Sequence, residues 1–467
     1  MQRPAANSFT IISMFVSFVS LIFSTSISFT TAFDSPYKLS KISTNGVALP
    51  LHLRENSMKS RFNIDDHSLV LARLARDKAR LQQLTSSSSS SPSSAYSTIV
   101  KVFSGEYVVL MNVGDPPLQL DLLIDTTSSF TWWQCQPCEI CYKQPLPNPI
   151  YDPRNSSTFR QVDCRAQYSS ECDHTQPVIE GCYSRSDMRC RYRNTYDSGF
   201  ITEGTMGTEI LADFYHQNIT NSLTFGCGTK NVGGTHEFAD ASGILGFFPG
   251  RYSFPNLVHC NSSFSFCFPG YYDGGKGQLY LNITTTTRVV ARLLLGYMKS
   301  FGLYYLAFNG IEMDGFTIPI PPEFWQTDGK GNGGVIIDMA TIITKLPEKA
   351  YAIFKDYFLK STDKSVPVLP GEEGLDTCFN LTGLSDWKMQ GHYFPEVKLV
   401  FQSRPDPLDI SNEQMIMDMG NGKHCLAVAP GGPTTILGSW ILQRTLVEFD
   451  LSNALLKFDP RSCDLPF

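Results

Sequence analysis

The chain has 467 residues and carries 38 Lys and Arg against 44 Asp and Glu, which gives a formal net charge of −6 at pH 7. Because the body of the sequence contains no basic patch, this balance argues against nucleic acid as a partner, although it excludes little else. The length is sufficient for two lobes with separate hydrophobic cores.

The first 32 residues have the pattern of a secretory signal peptide. Arg3 supplies a short positive start, the apolar stretch FTIISMFVSFVSLIF follows, and small residues lead to an expected cut after Ala32. This apolar stretch is shorter than the roughly 20 residues that a membrane span needs. We therefore predict a secreted protein without a membrane anchor, destined for the extracellular space or the vacuole. A signal anchor that remains in the membrane is the alternative.

Residues 33–100 are predicted to form a propeptide. The stretch SLVLARLARDKARLQQL has apolar residues at helical spacing and many Arg and Lys, and it runs into the serine tract TSSSSSSPSSAYS. Such a tract cannot bury enough apolar area to offset the entropy of ordering it, which predicts a flexible linker. A basic helix and a cleavable linker ahead of an acidic body are typical of a propeptide. A plain N-terminal extension is the alternative.

The remaining residues predict a mostly β protein. They are rich in Gly, Pro, Tyr, Phe, Val, Ile and Thr, and their short apolar runs are separated by turn dipeptides. Long stretches with a period of 3.6 residues are few, which disfavours a helical fold.

Thirteen cysteines after a signal sequence indicate an oxidising compartment and a disulfide framework. Since the number is odd, at least one thiol has no partner within the chain. Seven cysteines lie between Cys135 and Cys190, which predicts a loop-rich insertion stapled by disulfides. The spacing of Cys135, Cys138 and Cys141 would also suit zinc, but secretion favours disulfides and we expect no metal.

The sequence also contains N-glycosylation sequons. Each indicates only that its asparagine is exposed if it is glycosylated, but together they agree with passage through the secretory route. The candidate sites are Asn155, Asn218, Asn261, Asn282 and Asn380.

Two apolar strands each end in an aspartate. The run in LLIDTTSSF ends at Asp125, and the run in GGVIIDMATIITKLP ends at Asp338. Each has a later apolar-apolar-Gly partner, GILGFF with Gly246 and TILGSW with Gly438. One such pattern is weak evidence, but two in parallel contexts predict a duplicated pair of lobes with one carboxylate each.

With these motifs the sequence resembles the pepsin-like aspartic proteases, and in particular the plant nepenthesin-type branch with its cysteine-rich insertion. The resemblance runs from about Gly105 to Cys463 through GEYVVLMNVGDPP, WWQCQPCEICY, LTFGCGTKN, FPEVKLVF and ILGSWILQRTLVEFDLSN. It implies an all-β, bilobal fold with pseudo-two-fold related lobes. The expected N-terminal lobe, with insertion and flap, covers residues 101–287, and the C-terminal lobe covers 288–467. The propeptide pattern predicts a zymogen, and the signal peptide predicts secretion to the apoplast, with the vacuole as the alternative.

The resemblance implies that Asp125 and Asp338 are the catalytic dyad of an endopeptidase. Two carboxyls about 3 Å apart share one proton, because like charges at that distance cannot both form cheaply. The ionised member takes a proton from a water while the protonated member polarises the scissile carbonyl. We thus expect a monomer that cleaves polypeptide substrates in acid and needs no cofactor.

Four further residues are assigned to the substrate-binding side by the resemblance. Tyr196, in NTYDSGFITEG, matches the flap tyrosine, and Trp132 matches the cleft-side tryptophan. Ser128 and Thr341 stand where hydroxyls support the outer carboxylate oxygens. For Tyr196, an ordinary cross-strand aromatic is the alternative.

Both signature turns depart from the family's Asp-Thr/Ser-Gly, since the chain has DTT at 125–127 and DMA at 338–340. A β-branched residue is expected to fit the tight turn poorly. Met339 cannot reciprocate the hydroxyl of Thr126, whose lost partner should cost about 1–3 kcal/mol. The alternative function is therefore a weak or inactive homologue that acts as a binding protein or inhibitor of secreted cell-wall hydrolases.

Sequence alone leaves the disulfide connectivity open. The resemblance implies six pairs and leaves Cys260 as the odd thiol. The implied pairs are Cys135–Cys138, Cys141–Cys227, Cys164–Cys190, Cys172–Cys182, Cys267–Cys463 and Cys378–Cys425.

Overall fold

The computed structural model describes residues 47–53, 67–68, 70–75, 77–78 and, with interruptions, 107–463. Inside the last range, the residues outside the description are 145–148, 166–170, 183, 185, 197–199, 213–217, 234–240, 261–262, 271–276, 283–284, 286, 288, 403–405, 421 and 461–462. The predicted signal peptide and the serine tract also lie outside the described residues.

The described chain is predominantly β-structure, as its short apolar runs predict. The strands before residue 285 are β1 (Val47–Leu53), β2 (Tyr107–Val113), β3 (Leu118–Asp125), β4 (Trp132–Gln134), β5 (Arg160–Gln161), β6 (Ile179–Cys182), β7 (Cys190–Thr195), β8 (Ile201–Ala212), β9 (Asn218–Val232), β10 (Gly243–Gly246), β11 (Ser263–Cys267) and β12 (Gly277–Leu281).

The later strands are also short. They are β13 (Val289–Arg292), β14 (Tyr304–Leu306), β15 (Phe308–Met313), β16 (Phe316–Thr317), β17 (Val335–Ile337), β18 (Thr344–Pro347), β19 (Val368–Leu369), β20 (Cys378–Asn380), β21 (Val397–Phe401), β22 (Leu408–Ile410), β23 (Ile416–Gly420), β24 (Lys423–Leu426), β25 (Val428–Gly431), β26 (Thr435–Leu437), β27 (Thr445–Asp450) and β28 (Leu455–Pro460).

Short helices connect these strands. They are α1 (Phe254–Leu257), α2 (Leu295–Phe301), α3 (Glu348–Ser361) and α4 (Asn412–Met415), with 3-10 turns at Pro153–Asn155, Pro322–Trp325 and Trp440–Leu442. In α3, Ala350, Phe354 and Phe358 recur every four residues and form one buried face. No helix in the described part of the chain is long and apolar enough to cross a membrane.

A five-strand motif occurs twice, and each copy leads to one of the two aspartates. In the first copy, in the order β2-β3-β10-β4-β9, β3 runs parallel to β10, and β4 pairs antiparallel with β10 and parallel with β9. The second copy, β14-β17-β26-β18-β25, has the same sequence of parallel and antiparallel pairs. The duplication predicted from the two Asp motifs is therefore confirmed in the strand pairing.

Strands from both halves of the chain share one large sheet. Among the described residues it has 15 strands, in the order β13-β28-β27-β11-β12-β1-β2-β3-β10-β4-β9-β8-β7-β6, with β5 paired to β8. At the junction, Phe264 of β11 lies opposite Phe449 of β27, and their rings stack with centroids 4.8 Å apart. The predicted boundary between the N-terminal and C-terminal lobes, at residues 287 and 288, stays a prediction, since strands from both sides of it form this sheet.

Two parts of the predicted propeptide belong to the folded structure. Strand β1 lies between β12 and β2, with Leu51 opposite both Gly277 and Val109. Helical residues within 67–78, which we call the docked segment, pack Val70 and Leu74 into a core of the C-terminal half. Where the mature chain begins is not tested by these contacts, so the propeptide over 33–100 stays a prediction.

The disulfides confirm two of the implied pairs, Cys267–Cys463 and Cys378–Cys425, and Cys260 is free and buried. The other four implied pairs, Cys135–Cys138, Cys141–Cys227, Cys164–Cys190 and Cys172–Cys182, are wrong. The structure instead pairs Cys135–Cys227, Cys138–Cys141, Cys164–Cys182 and Cys172–Cys190.

Strand pairing explains the corrected disulfides Cys135–Cys227 and Cys138–Cys141. Strand β4 runs parallel to β9, which brings the Cα atom of Cys135 to 5.3 Å from that of Cys227. Cys138 is then left to bond with Cys141, three residues away. All three thiols that could have suited zinc are therefore used in disulfides.

Candidate active site

Asp125 and Asp338 occupy equivalent places in the two copies of the strand motif. Asp125 is the last residue of β3 and lies beside Gly246 of β10. Asp338 follows β17 directly, and its N–H donates to the carbonyl of Leu437 in β26 at 3.2 Å. Both aspartates are fully buried.

The glycine of each apolar-apolar-Gly motif, Gly246 at the end of β10 and Gly438 directly after β26, is required by close packing of the aspartate loops. A Cβ at Gly246 would lie 2.6 Å from the carbonyl oxygen of Ser128, and one at Gly438 would lie 2.3 Å from that of Ile342. Only glycine lets the two backbones approach this closely. This explains why each apolar-apolar-Gly motif accompanies an apolar-Asp strand.

Thr127 supplies the hydrogen bonds that orient Asp125. Its N–H and its hydroxyl both donate to Oδ1 of Asp125, each at 2.8 Å. The expectation that a β-branched residue would fit poorly here is wrong, because the added side chain serves as a second donor. The role implied for Ser128 is wrong: its hydroxyl accepts from the backbone N–H and donates to the carbonyl of Phe130, both at 3.2 Å, instead of donating to the carboxylate of Asp125.

A sequence signal for Thr127 was available. In an Asp-x-Thr stretch, the aspartate can accept hydrogen bonds from both the N–H and the hydroxyl of the threonine two residues later. The same chain repeats this arrangement at an exposed turn, where Thr175 donates to Asp173 from its N–H at 3.0 Å and its hydroxyl at 2.7 Å. In the DTT turn, Thr127 thus supplies two hydrogen-bond donors to the carboxylate of Asp125, the first residue of the same turn.

Asp338 is held by three donors from two loops. Its Oδ2 accepts from the hydroxyl of Thr341 at 2.5 Å, which places Thr341 where the resemblance expects a supporting hydroxyl. Its Oδ1 accepts from the N–H of Ala340 at 3.2 Å and from the hydroxyl of Thr126 at 3.4 Å. The Ala-for-Gly replacement therefore keeps the backbone donor.

Thr126 keeps its partners in the other loop. Its hydroxyl accepts from the N–H of Met339 at 3.3 Å and donates to Asp338. The expected loss of a buried partner is wrong, because the backbone of residue 339 donates whatever its side chain is. The side chain of Met339 is buried.

The aromatic residues assigned to the flap side contact one another. The indole Nε1–H of Trp132 donates to the hydroxyl of Tyr196 at 2.6 Å, and the ring of Phe200 stacks on that of Trp132 with centroids 5.8 Å apart. Burial raises the pKa of Tyr196 well above its usual value, and the negative charge of Asp125 adds to the shift. The phenol therefore stays protonated. The flap tip, residues 197–199, lies outside the described residues.

The docked segment contributes a contact that the sequence analysis missed. Oδ1 of Asp77 accepts a hydrogen bond of 2.7 Å from the N–H of Ile342, in the loop that follows Asp338. The available signal was the spacing of Asp77 from Val70 and Leu74, which places an acid on the apolar face of a basic helix.

The predicted glycosylation sites have different surroundings. Asn155 and Asn380 are exposed, and Asn282 is half-buried at a positive φ of 60°. Asn218 begins β9, and Asn261 lies outside the described residues. Their glycosylation stays a prediction.

Comparison with known proteins decides the family. Residues 107–281 and 303–460 match the family models described as xylanase inhibitor N-terminal and xylanase inhibitor C-terminal. Protein ASPARTIC PROTEASE IN GUARD CELL 2 of Arabidopsis thaliana is 31% identical over 366 residues, 77% of this chain and 73% of that protein. The chain belongs to the plant pepsin-like aspartic protease family.

Other members of this family agree with the nepenthesin-type resemblance. Aspartic proteinase nepenthesin-2 of Nepenthes gracilis is 28% identical over 414 residues, which cover 86% of this chain and 87% of nepenthesin-2. Aspartyl protease family protein 2 of Arabidopsis thaliana is 30% identical over 414 residues, 85% of this chain and 81% of that protein.

Solved structures bear out the all-β, bilobal fold. The crystal structure of edgp aligns with a TM-score of 0.62 at 17% identity and covers 78% of this chain and 95% of its own. Basic 7S globulin from soybean aligns with a TM-score of 0.56 at 19% identity, over 77% of this chain and 92% of its own. At these identities the likeness concerns the fold alone.

Proposed function

We propose that this protein is an aspartic endopeptidase that hydrolyses peptide bonds at acidic pH, with Asp125 and Asp338 as the dyad that activates a water. The observation that carries the proposal is the Thr126 hydroxyl, which joins the two aspartate loops through Met339 and Asp338 although both signature turns are altered. The names of the relatives as aspartic proteases add support.

In this mechanism the dyad carries one proton. The ionised carboxylate removes a proton from water, and the resulting hydroxide adds to the scissile carbonyl carbon while the protonated carboxyl donates to the carbonyl oxygen. When the tetrahedral intermediate collapses, the carboxyl that took the water proton passes it to the leaving nitrogen and the other carboxylate takes a hydroxyl proton of the intermediate, so that the C–N bond breaks and the dyad again carries one proton. Thr127 and Thr341 orient the two carboxyls for these transfers.

The second candidate is a non-catalytic binding protein or an inhibitor of secreted cell-wall hydrolases. It is favoured by the two matching family models, whose descriptions name a xylanase inhibitor, and by the altered turns at 125–127 and 338–340. Both candidates use the same fold, so the distinction depends on whether the dyad reacts.

We also propose that the protein is secreted to the apoplast or the vacuole as a glycosylated monomer and that residues 1–32 are removed. Six disulfides and the leader pattern support an oxidising destination. Expression of the full chain with a C-terminal fluorescent tag, followed by N-terminal sequencing and a glycosidase mobility shift, tests this. Retention in the cytosol would contradict it.

Digestion of denatured globin at about pH 3–5 by the acid-treated protein tests the catalytic proposal. We expect cleavage that pepstatin blocks and that Asp125→Asn abolishes, whereas Asp386→Asn, at an exposed aspartate, leaves it intact. Absence of cleavage by a folded protein would contradict the protease function. Pull-down of secreted cell-wall hydrolases would then test the second candidate.

A further inference from the structure

Tyr304 is joined to both aspartate loops, to one through its backbone and to the other through its side chain. In β14 it pairs with Ile337 of β17, the residue directly before Asp338. Its hydroxyl donates a hydrogen bond of 2.7 Å to the carbonyl of Phe247, which directly follows β10. The side chain thus crosses from the copy of the strand motif that leads to Asp338 to the copy that leads to Asp125.

The segment that accepts this hydrogen bond holds the Asp125 turn at two points. The N–H of Phe247 donates to the backbone carbonyl of Asp125 at 2.7 Å, and the N–H of Phe248 donates to that of Ser128 at 2.8 Å. The carbonyl of Phe247 and the N–H of Phe248 belong to one planar peptide unit. The hydroxyl of Tyr304 therefore orients the unit that binds Ser128, and it strengthens that N–H as a donor because linked hydrogen bonds polarise one another.

Aromatic packing fixes both ends of the Tyr304 hydrogen bond. Tyr304 is 1% exposed, and its ring meets those of Phe449 and Phe248 edge to face, with centroids 4.9 and 5.5 Å apart. The ring of Phe247 meets that of Phe266 in the same way, at 5.0 Å. Burial raises the pKa of Tyr304 well above its usual value. The hydroxyl therefore keeps its proton and remains a donor.

Tyr304 makes a second link between the two halves of the chain, in the direction opposite to that of Thr126. The hydroxyl of Thr126 contacts Met339 and Asp338 from the first half. The hydroxyl of Tyr304 contacts, from the second half, the segment that holds the Asp125 turn. With one link in each direction, neither aspartate loop can shift without stretching a buried hydrogen bond that the other half supplies.

We propose that Tyr304 is a positioning residue of the dyad, and that its pairing with β17 and its contact with Phe247 together set the separation of Asp125 and Asp338. The separation matters because the charge of one carboxylate opposes ionisation of the other less strongly as the distance grows. A wider pair shares its proton less strongly, and its two apparent pKa values approach each other. That the pair cleaves peptides rests on the proposed function, but the coupling itself does not.

The test removes the hydroxyl and measures the pKa values of the dyad directly. The full chain is produced with ¹³C in the Asp side-chain carboxyls and acid-treated as for globin digestion, and NMR follows these signals from about pH 2 to about pH 8. Asp125→Asn and Asp338→Asn assign the two signals. Tyr304→Phe keeps the buried ring and loses only the hydroxyl.

In Tyr304→Phe we expect the gap between the two apparent pKa values to narrow by about one pH unit. This is the change that widening the pair from about 3 Å to about 4 Å produces at an effective dielectric constant of about 20. In an active chain, the pH profile of kcat/KM should narrow on both limbs by a matching amount.

Tyr305→Phe is the matched control for loss of a buried tyrosine hydroxyl. Tyr305 is also 1% exposed, and its hydroxyl donates at 3.0 Å to a backbone carbonyl, that of Gly331. This variant should lose stability as Tyr304→Phe does, because each leaves a carbonyl without its donor. It should leave the gap between the two pKa values unchanged.

An unchanged gap in a folded Tyr304→Phe chain would overturn the proposal, and so would equal narrowing in Tyr305→Phe, since lost stability alone would then explain it. A native chain whose two carboxyls titrate without a gap would also overturn it. If Tyr304→Phe does not fold, p-aminophenylalanine at position 304 supplies a weaker donor with a longer hydrogen bond; the gap should then narrow by a smaller amount, and an unchanged gap would overturn the proposal. Because the NMR titration needs no substrate, failure of the globin assay leaves this result unaffected.

Discussion

The N–H of Met339 donates a 3.3 Å hydrogen bond to the hydroxyl of Thr126, 213 residues earlier in the chain. The same hydroxyl donates to Asp338 at 3.4 Å. One side chain of the first aspartate loop thus positions the backbone and the carboxyl of the second. Because the donor at residue 339 is a backbone N–H, this hydrogen bond forms although methionine has replaced a residue with a hydroxyl.

Removal of this hydroxyl should impair catalysis and folding together. Thr126→Val keeps the shape of the side chain, and we expect kcat/KM to fall by about 10- to 100-fold, because a shift of about 1 Å in the carboxyls has this effect. Stability should fall by about 1–3 kcal/mol, since a buried N–H loses its acceptor. Globin digestion and thermal unfolding measure the two effects. Thr126→Ser restores the hydroxyl, and equal losses in both variants would rule out the hydrogen bond as the cause.

Thr127 and Ser128 should differ in their importance for the dyad. Thr127→Val removes the hydroxyl that Asp125 accepts from, and we expect about a tenfold loss of kcat because a hydrogen bond to a charged group is worth about 1.5–3 kcal/mol. Ser128→Ala should cost stability but change kcat less than about threefold, since its hydroxyl contacts the backbone N–H and carbonyl of Phe130. Steady-state kinetics on a peptide substrate measures kcat for both variants. A larger loss of kcat in Ser128→Ala than in Thr127→Val would contradict this assignment.

The docked segment should be held more tightly in acid than at neutral pH. Burial raises the pKa of Asp77 above its usual 3.8, although Lys345 and the N–H of Ile342 oppose the shift. Below pH 3.8 the carboxyl is protonated whether docked or free, so docking carries no penalty. Above it the undocked carboxyl ionises first, and docking weakens until the pH passes the raised, docked pKa.

Hydrogen exchange measures this pH dependence. Protection factors for amides of residues 70–75, corrected for intrinsic exchange, should decrease as the pH rises from about 3 to 7. Asp77→Asn removes the titrating carboxyl at this position and should give protection that decreases less over this range than in the native chain; the ion pair of His67 with Glu372 is present in both chains. A rise in protection with pH in the native chain would show that Lys345 outweighs burial.

Close packing at Gly438 should make it intolerant of a methyl group. Gly438→Ala places a Cβ 2.3 Å from the carbonyl oxygen of Ile342, and we expect a loss of about 1–3 kcal/mol in the free energy of unfolding. Gly296→Ala is the matched control, because a Cβ there meets nothing within 4 Å and alanine favours the helix by about 0.5–1 kcal/mol. Denaturant unfolding compares the two, and equal stability would refute the packing argument.

The sequence alone predicts those features of the candidate site that depend on neighbouring residues. Apolar runs ending at Asp125 and Asp338 predict buried strand ends, and the glycines of the two apolar-apolar-Gly motifs follow from the same duplicated pattern. The family resemblance assigned Trp132 and Tyr196 separately to the substrate-binding side, and the hydrogen bond between them was found only in the structure. The steric prediction for Thr127 is wrong because its N–H and its hydroxyl both donate to Asp125.

Local composition and repetition thus determined the β class, the two lobes and the pair of strand-end aspartates, because strand period and turn chemistry act over a few residues. Only the tertiary structure decided that Cys135 bonds Cys227, that Met339 supports Thr126 and that Asp77 reaches Lys345. Each of these contacts joins residues about a hundred or more positions apart, and which strands and loops become neighbours depends on the packing of the whole chain.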